Sequence, residues 1–130
     1  MARYTSKYPT ELELEILKIL WRDGQASVRH VRKRLSDFRK LAYTSVMTMM
    51  TIMTEKGYLK RSKEGNYYIY KPQITEQETT QGILSDIVER LFDGSATAAM
   101  VNLLETGDID EAELDQLREI ITQKSRETNQ

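Results

Sequence analysis

The chain has 130 residues, with no cysteine, a single histidine and no Gly-rich phosphate loop. That length fits one ordinary domain, or a small domain with an assembly element attached, and the lack of cysteine excludes disulfides and thiolate metal ligands. With His30 alone and no thiol nucleophile, the chain reads as a non-enzyme that carries no cofactor and no metal.

A reducing cytoplasm is the expected compartment. No apolar run reaches the roughly 18 residues of a membrane span, and Met1 to Pro9 lacks a signal-peptide core, so no membrane partner is expected. The formal net charge of −1 conceals a division. Met1 to Lys71 holds 15 Lys and Arg against seven Asp and Glu, whereas Pro72 to Gln130 holds four against 13. Two functional parts are expected, residues 1–72 and 73–130. The basic part has the charge that displaces counterions from nucleic-acid phosphates, and phosphates would repel the acidic part.

In chain order, Thr10-Glu11-Leu12-Glu13 has the form of a capping box, and Leu12, Ile16, Leu17, Ile19 and Leu20 repeat at helical spacing. A first helix is predicted from Thr10 to Trp21, stopped by Asp23-Gly24. Ser27 is placed to cap a second, short helix with Val28, Val31 and Leu35 inward and Arg29, Arg32, Lys33 and Arg34 outward. His30 on this helix reads as a solvated surface residue.

A third helix is predicted from Tyr43 to Lys56. At about 100° per residue, Val46, Met49, Met50 and Met53 share one face, while Thr44, Thr48, Thr51 and Glu55 share the opposite one, with Ser45 and Ile52 beside them. The methionine spacing is that of core packing rather than of a soft-metal site. Short hydroxyl side chains on the other face approach a duplex closely and bond to phosphates or base edges. Gly57 ends the helix as its C′ residue. Tyr58 to Ser62 and Tyr67 to Lys71 then read as two strands joined by the loop Lys63-Glu64-Gly65-Asn66.

Helix, helix-turn-helix and hairpin, in that order, make a winged helix, whose third helix enters the major groove while the hairpin lies along a neighbouring backbone. The expected DNA contacts are Tyr43, Thr44, Ser45 and Thr48 from the third helix, and Lys60, Arg61 and Lys63 from the wing.

Thr75-Glu76-Gln77-Glu78 opens a further helix whose stripe is Ile83, Leu84, Ile87, Val88, Leu91 and Phe92, ending at Asp93-Gly94. A short helix follows from Ala96 to Glu105. Asp110 to Glu113 caps a last one bearing Leu114, Leu117, Ile120 and Ile121, and Lys124 to Gln130 reads as a frayed tail. So small a helical unit buries its stripes poorly alone, and pairing with a second copy would cover them. A two-fold dimer also sets two reading heads on successive major grooves of a palindrome. The predicted fold is therefore mainly α with a small β-hairpin, a winged helix-turn-helix followed by a three-helix dimerisation arm.

The run Ala42-Tyr43-Thr44-Ser45-Val46-Met47-Thr48, then Glu55-Lys56-Gly57-Tyr58-Leu59 and Tyr67 to Pro72, resembles the penicillinase repressors and the related copper-transport repressors. Leu12-Glu13, Leu20-Trp21 and Ala26-Ser27-Val28 are similar to that family's first two elements. The resemblance implies a homodimeric repressor of palindromic operators, read by Thr44, Ser45 and Thr48. Ile52 and Met47 stand where relatives often carry Arg, which implies either that the phosphate contacts rest more on Arg39, Lys40 and the wing or that the operator site differs. The Cys-x-Cys pattern of copper-responsive relatives is absent. In the penicillinase branch a regulatory protease relieves repression by cutting an Asn-Phe bond in the arm, and the corresponding bond here is Asn102-Leu103. Two other readings remain open at this point: a winged helix docking an acidic protein partner, and a regulator answering to a small molecule.

Overall fold

The structure, a computed structural model, describes residues 8–129. Residues 1–7, most of the segment read for a signal peptide, and Gln130, the end of the expected tail, lie outside it. Among the described residues the order is α1 (Glu11–Asp23), α2 (Val28–Leu35), α3 (Tyr43–Glu55), β1 (Leu59–Glu64), β2 (Tyr67–Pro72), α4 (Glu76–Leu91), α5 (Ala96–Thr106) and α6 (Glu111–Thr128). This is a winged helix-turn-helix followed by three further helices, mainly α with one antiparallel hairpin. The chain forms two compact units that meet at Ser85 and Asp86, inside α4, rather than at the change of charge near Pro72.

The first unit is organised by caps at its helix ends. Thr10 Oγ1 accepts from the Glu13 amide at 3.2 Å, and Glu13 Oε1 accepts from the Thr10 amide at 2.9 Å, completing the capping box of α1. Ser27 Oγ accepts from the His30 amide at 3.2 Å and starts α2. Gly57, at φ +87, ends α3: its amide donates to Thr54 O at 3.1 Å, and the Tyr58 amide donates to Met53 O at 2.9 Å. That pair of bonds is a Schellman motif, which needs the left-handed backbone at C′ and turns the chain directly into β1.

The core gathers Ile16, Leu17 and Leu20 of α1, Val31 and Leu35 of α2, and Val46, Met50 and Met53 of α3, closed below by Leu59 and Tyr70 of the hairpin. Met50 and Met53 are fully buried and Met49 packs at the edge, as the helical spacing predicts. Ala26 and Tyr70 exchange backbone hydrogen bonds of 3.0 and 2.8 Å, an isolated bridge that ties the α1–α2 turn to the wing. No alternating pattern announces a one-residue strand, so the sequence reading did not contain it.

The hairpin corrects one expectation. Lys63 and Glu64 are strand residues, and the connection is the two-residue turn Gly65-Asn66, with Gly65 at φ +62. Glycine suits the first central position of a type II′ turn, whose twist matches the strands it joins. The register pairs Lys60 with Lys71, Arg61 with Tyr70 and Lys63 with Tyr68. The start of α4 is held to the same unit by the Trp21 indole, whose Nε1 donates to Ile74 O at 2.8 Å, and by the buried Thr79.

The second unit has caps but no interior. Ser95 caps α5 and Asp110 caps α6, accepting from the amides of Ala98 at 3.1 Å and Glu113 at 2.9 Å. The tail expected to fray from Lys124 is instead helical to Thr128. Among the described residues of this unit none is buried, and Leu91, Leu103, Ile120 and Ile121 are each more than 60 % exposed.

Candidate nucleic-acid interface

The exposed face of α3 begins at Tyr43 and includes Thr44, Ser45, Met47 and Thr48. Within the described residues no hydrogen bond engages the hydroxyls of Thr44, Ser45 or Thr48, so all three are free to meet a ligand. Thr51, on the same side, differs: its Oγ1 donates to Met47 O at 2.9 Å and is spent on its own helix. From Tyr43 to Thr54 the helix carries no charged side chain at all. Its N-cap, Ala42, has no side-chain oxygen for the first-turn amides.

Cations surround this uncharged face. A hollow of about 880 Å³ lies between the start of α2, the first turns of α3 and β2, and Arg29, Arg32, Tyr43, Met47 and Tyr67 are among its walls. A second hollow, of about 480 Å³, shares Arg29 and Arg32 and adds Lys33, Ser36, Lys40 and Leu41. Neither lining contains an acidic residue. The Arg32 Nε donates to Leu41 O at 3.0 Å, which fixes its guanidinium beside the turn into α3.

Lys40 lines the second hollow with Arg29, Arg32 and Lys33, beside the turn into α3. Arg39 is engaged elsewhere. Its Nε lies 3.0 Å from Glu15 Oε2 and its Nη2 donates to Glu15 Oε1 at 3.2 Å, so the guanidinium is neutralised against α1 and lines neither hollow.

Lys60, Arg61 and Lys63 are all exposed on β1. Arg61 stacks its guanidinium 4.4 Å from the ring centre of Tyr68, which orders the side chain without neutralising it. Lys60 and Lys71 are direct cross-strand partners. Like charges so placed repel each other, and a bound anion relieves the repulsion. Arg29 and Arg32 line the hollow beside α3 and Lys71 is exposed on β2, although sequence reasoning did not assign the three to DNA. The arginines were visible as outward residues of the second helix, whereas the Lys71 pairing depends on the register, which follows from the shorter turn.

His30 is not simply solvated. Its Nε2 lies 2.7 Å from Asp23 Oδ2, and Arg34 Nε approaches the same oxygen at 4.0 Å. The hydrogen bond with His30 holds the Asp23 carboxyl below its ordinary pKa, against desolvation, with the charges of Arg34, His30 and Arg22 adding to the effect. Among the described residues no three His, Asp or Glu side chains gather as a metal site, and no helix is long and apolar enough to cross a membrane.

The residues expected to mediate dimerisation lie on α4 and α6. Leu84, Ile87, Leu91, Leu117, Ile120 and Ile121 are exposed, and Ile83, Val88 and Leu114 half-buried. Asn102 and Leu103 sit within α5, both exposed.

The family described as Penicillinase repressor matches residues 9–123. The penicillinase repressor of Bacillus licheniformis is 26% identical over 112 residues, covering 86% of this chain and 88% of that protein. The methicillin resistance regulatory protein MecI of Mammaliicoccus sciuri is 21% identical over 112 residues, with 86% and 91% covered. The solution structure of the DNA binding domain of the repressor BlaI has a TM-score of 0.50 and 30% identity, covering 57% of this chain and 93% of that one. Since the family match extends from the capping box of α1 into α6, through both compact units, the chain belongs to the penicillinase repressor family.

Proposed function

We propose that this protein is a cytoplasmic transcriptional repressor that binds a palindromic operator as a homodimer, α3 reading the major groove and the wing and α2 holding the backbone. The observation that carries this reading is the uncharged, hydroxyl-bearing face of α3 beside hollows walled by Arg29, Arg32 and Lys40, with no acidic side chain lining either, together with the exposed Lys60, Arg61 and Lys63 on β1. Phosphate contacts position a reading helix and base contacts specify its site, and the two kinds of side chain are separated here in that way.

Residues 1–72 do the reading in this proposal, and residues 73–130 the assembly. Among the described residues from Asp86 onward none is buried, which leaves the stripes of Ile87, Leu91, Ile120 and Ile121 in water. A second copy is the partner that returns two linked reading heads for that burial. Cleavage at Asn102-Leu103 by a regulatory protease would relieve repression.

Selection of duplexes from random DNA by the full-length protein tests the first half of the proposal, with an inverted repeat as the expected product. Sedimentation at micromolar concentration tests the second: a dimer is expected, and monomers with weakened operator binding when Ile87→Asp and Leu91→Asp are combined. A native monomer that still holds a palindrome tightly overturns the assembly model.

A further inference from the structure

The composition of the α3 surface restricts which bases it reads. Bidentate recognition of guanine takes Arg or Lys, and that of adenine takes Asn or Gln. Between Tyr43 and Thr54 the helix has none of these four residue types. It presents hydroxyls, the methyl groups of Thr44 and Thr48, and two large side chains: Tyr43, 44% exposed, which carries a phenolic hydroxyl, and Met47, which carries no hydroxyl and is 40% exposed while Met50 and Met53 are fully buried.

Met47 lines the hollow that also holds Tyr43 and Tyr67, with Arg29 and Arg32 among the same walls. An exposed thioether amid groups that hold phosphates has no polar partner to offer a base edge. Against a donor or acceptor it would dehydrate that group without replacing its hydrogen bond. The one apolar feature on the major-groove edges is the 5-methyl group of thymine.

We infer that α3 recognises thymine by its 5-methyl group, that Met47 is the specificity-determining side chain, and that Thr44 and Thr48 frame the contact. This rests on α3 being the DNA-reading helix, as proposed above. Bidentate guanine contacts, where the operator has them, do not come from this helix.

The test replaces each thymine of a duplex selected by the full-length protein with deoxyuridine, which removes only the methyl group. At one or more positions in each half-site the substitution should weaken binding roughly fourfold, the ~0.8 kcal/mol of one buried methylene-sized group at 1.4 kcal/mol per tenfold. Met47→Ala should abolish that penalty and bind both duplexes alike, whereas Lys63→Ala should weaken both while keeping their ratio. Met47→Leu, which retains apolar surface, should keep the discrimination, and thermal melting of each variant confirms that the exposed position is not needed for folding. A selected duplex indifferent to every deoxyuridine overturns the inference and leaves the repressor reading standing. An unchanged penalty in Met47→Ala removes Met47 from its role. Failure to select any sequence overturns both readings.

Discussion

Lys56, the residue that follows α3, places its Nζ 2.9 Å from Oε2 of Glu13, a carboxylate only 1% exposed in the first turn of α1. The other oxygen of Glu13 accepts the Thr10 amide. One buried acid therefore caps α1 and anchors the far end of the reading helix. Removing Lys56 leaves that charge desolvated and half-paired, whereas removing the charge of Glu13 leaves an ammonium that still reaches water.

Lys56→Met should accordingly cost more than Glu13→Gln, since glutamine keeps an oxygen for the cap. We expect about 1–3 kcal/mol for Lys56→Met, below the ~3–5 of a fully buried pair because Lys56 retains some exposure. Urea unfolding of both single variants and the double variant gives the coupling. Equal losses in the two single variants would show that the unpaired Glu13 carboxylate carries no penalty beyond the loss of the ion pair.

The methionines of α3 divide into two functions by exposure. Met50→Ala should destabilise by about 2–4 kcal/mol through the cavity it leaves in a close-packed core. Met47→Ala, at an open position, should change stability by less than about 0.5 kcal/mol. Chemical denaturation of both variants compares them directly, and similar losses would contradict the assignment of Met47 to the reading surface.

Most of the fold was legible because local signals agreed with one another. The capping box at Thr10, the cap at Ser27, the apolar period of Val46, Met50 and Met53 and the stop at Gly57 each depend on residues a few positions apart. What escaped depends on distance in sequence. The bridge between Ala26 and Tyr70, the Arg39 pairing with Glu15 and the facing of Lys60 with Lys71 arise from contacts between elements, which no periodicity encodes. The hairpin loop was read too long because Lys63 and Glu64 are polar, and exposed edge strands carry such residues as readily as loops do.

Separate roles for α3 and the wing predict different losses on DNA. Thr48→Ala should reduce discrimination between operator and scrambled duplex by roughly 1 kcal/mol, the value of a lost base contact. Lys63→Ala should weaken both DNAs alike and flatten the dependence of log K on log salt by about one unit. Binding titrations across a salt series distinguish the two, and equal loss on both duplexes for Thr48→Ala would make it a backbone contact.

The Asp23–His30 pair gives a pH dependence of definite sign. Because the folded state holds the Asp23 pKa below its ordinary value, chiefly through the His30 hydrogen bond, the unfolded chain takes up the proton first. The stabilisation from this group is present above the usual carboxylate pKa of about 3.9 and is lost as pH falls through the lower folded value. The Tm of Asp23→Asn should therefore lie below that of the native protein at pH 6, and the gap should narrow below about pH 4. A gap constant down to pH 2 would assign the effect to the asparagine itself.

The arm offers the sharpest test of how repression would end. A cut between Asn102 and Leu103, in the exposed α5, separates α6 with Leu114, Leu117, Ile120 and Ile121 from the rest of the chain. Burial of such apolar surface is worth about 25 cal/mol per Å², so a dimer that uses it should weaken sharply. Two reading heads bind as a linked pair only while the dimer holds, and each alone faces its half-site without the gain in effective concentration. Truncation after Asn102 reproduces the physical consequence without a protease. The fragment should sediment as a monomer and release the operator at concentrations where the full chain occupies it, although the winged helix, whose core lies between Ile16 and Tyr70, stays folded. A truncated chain that remains dimeric at full operator affinity would place the dimer interface on α4 and the retained turns of α5 and remove α6 from the switch.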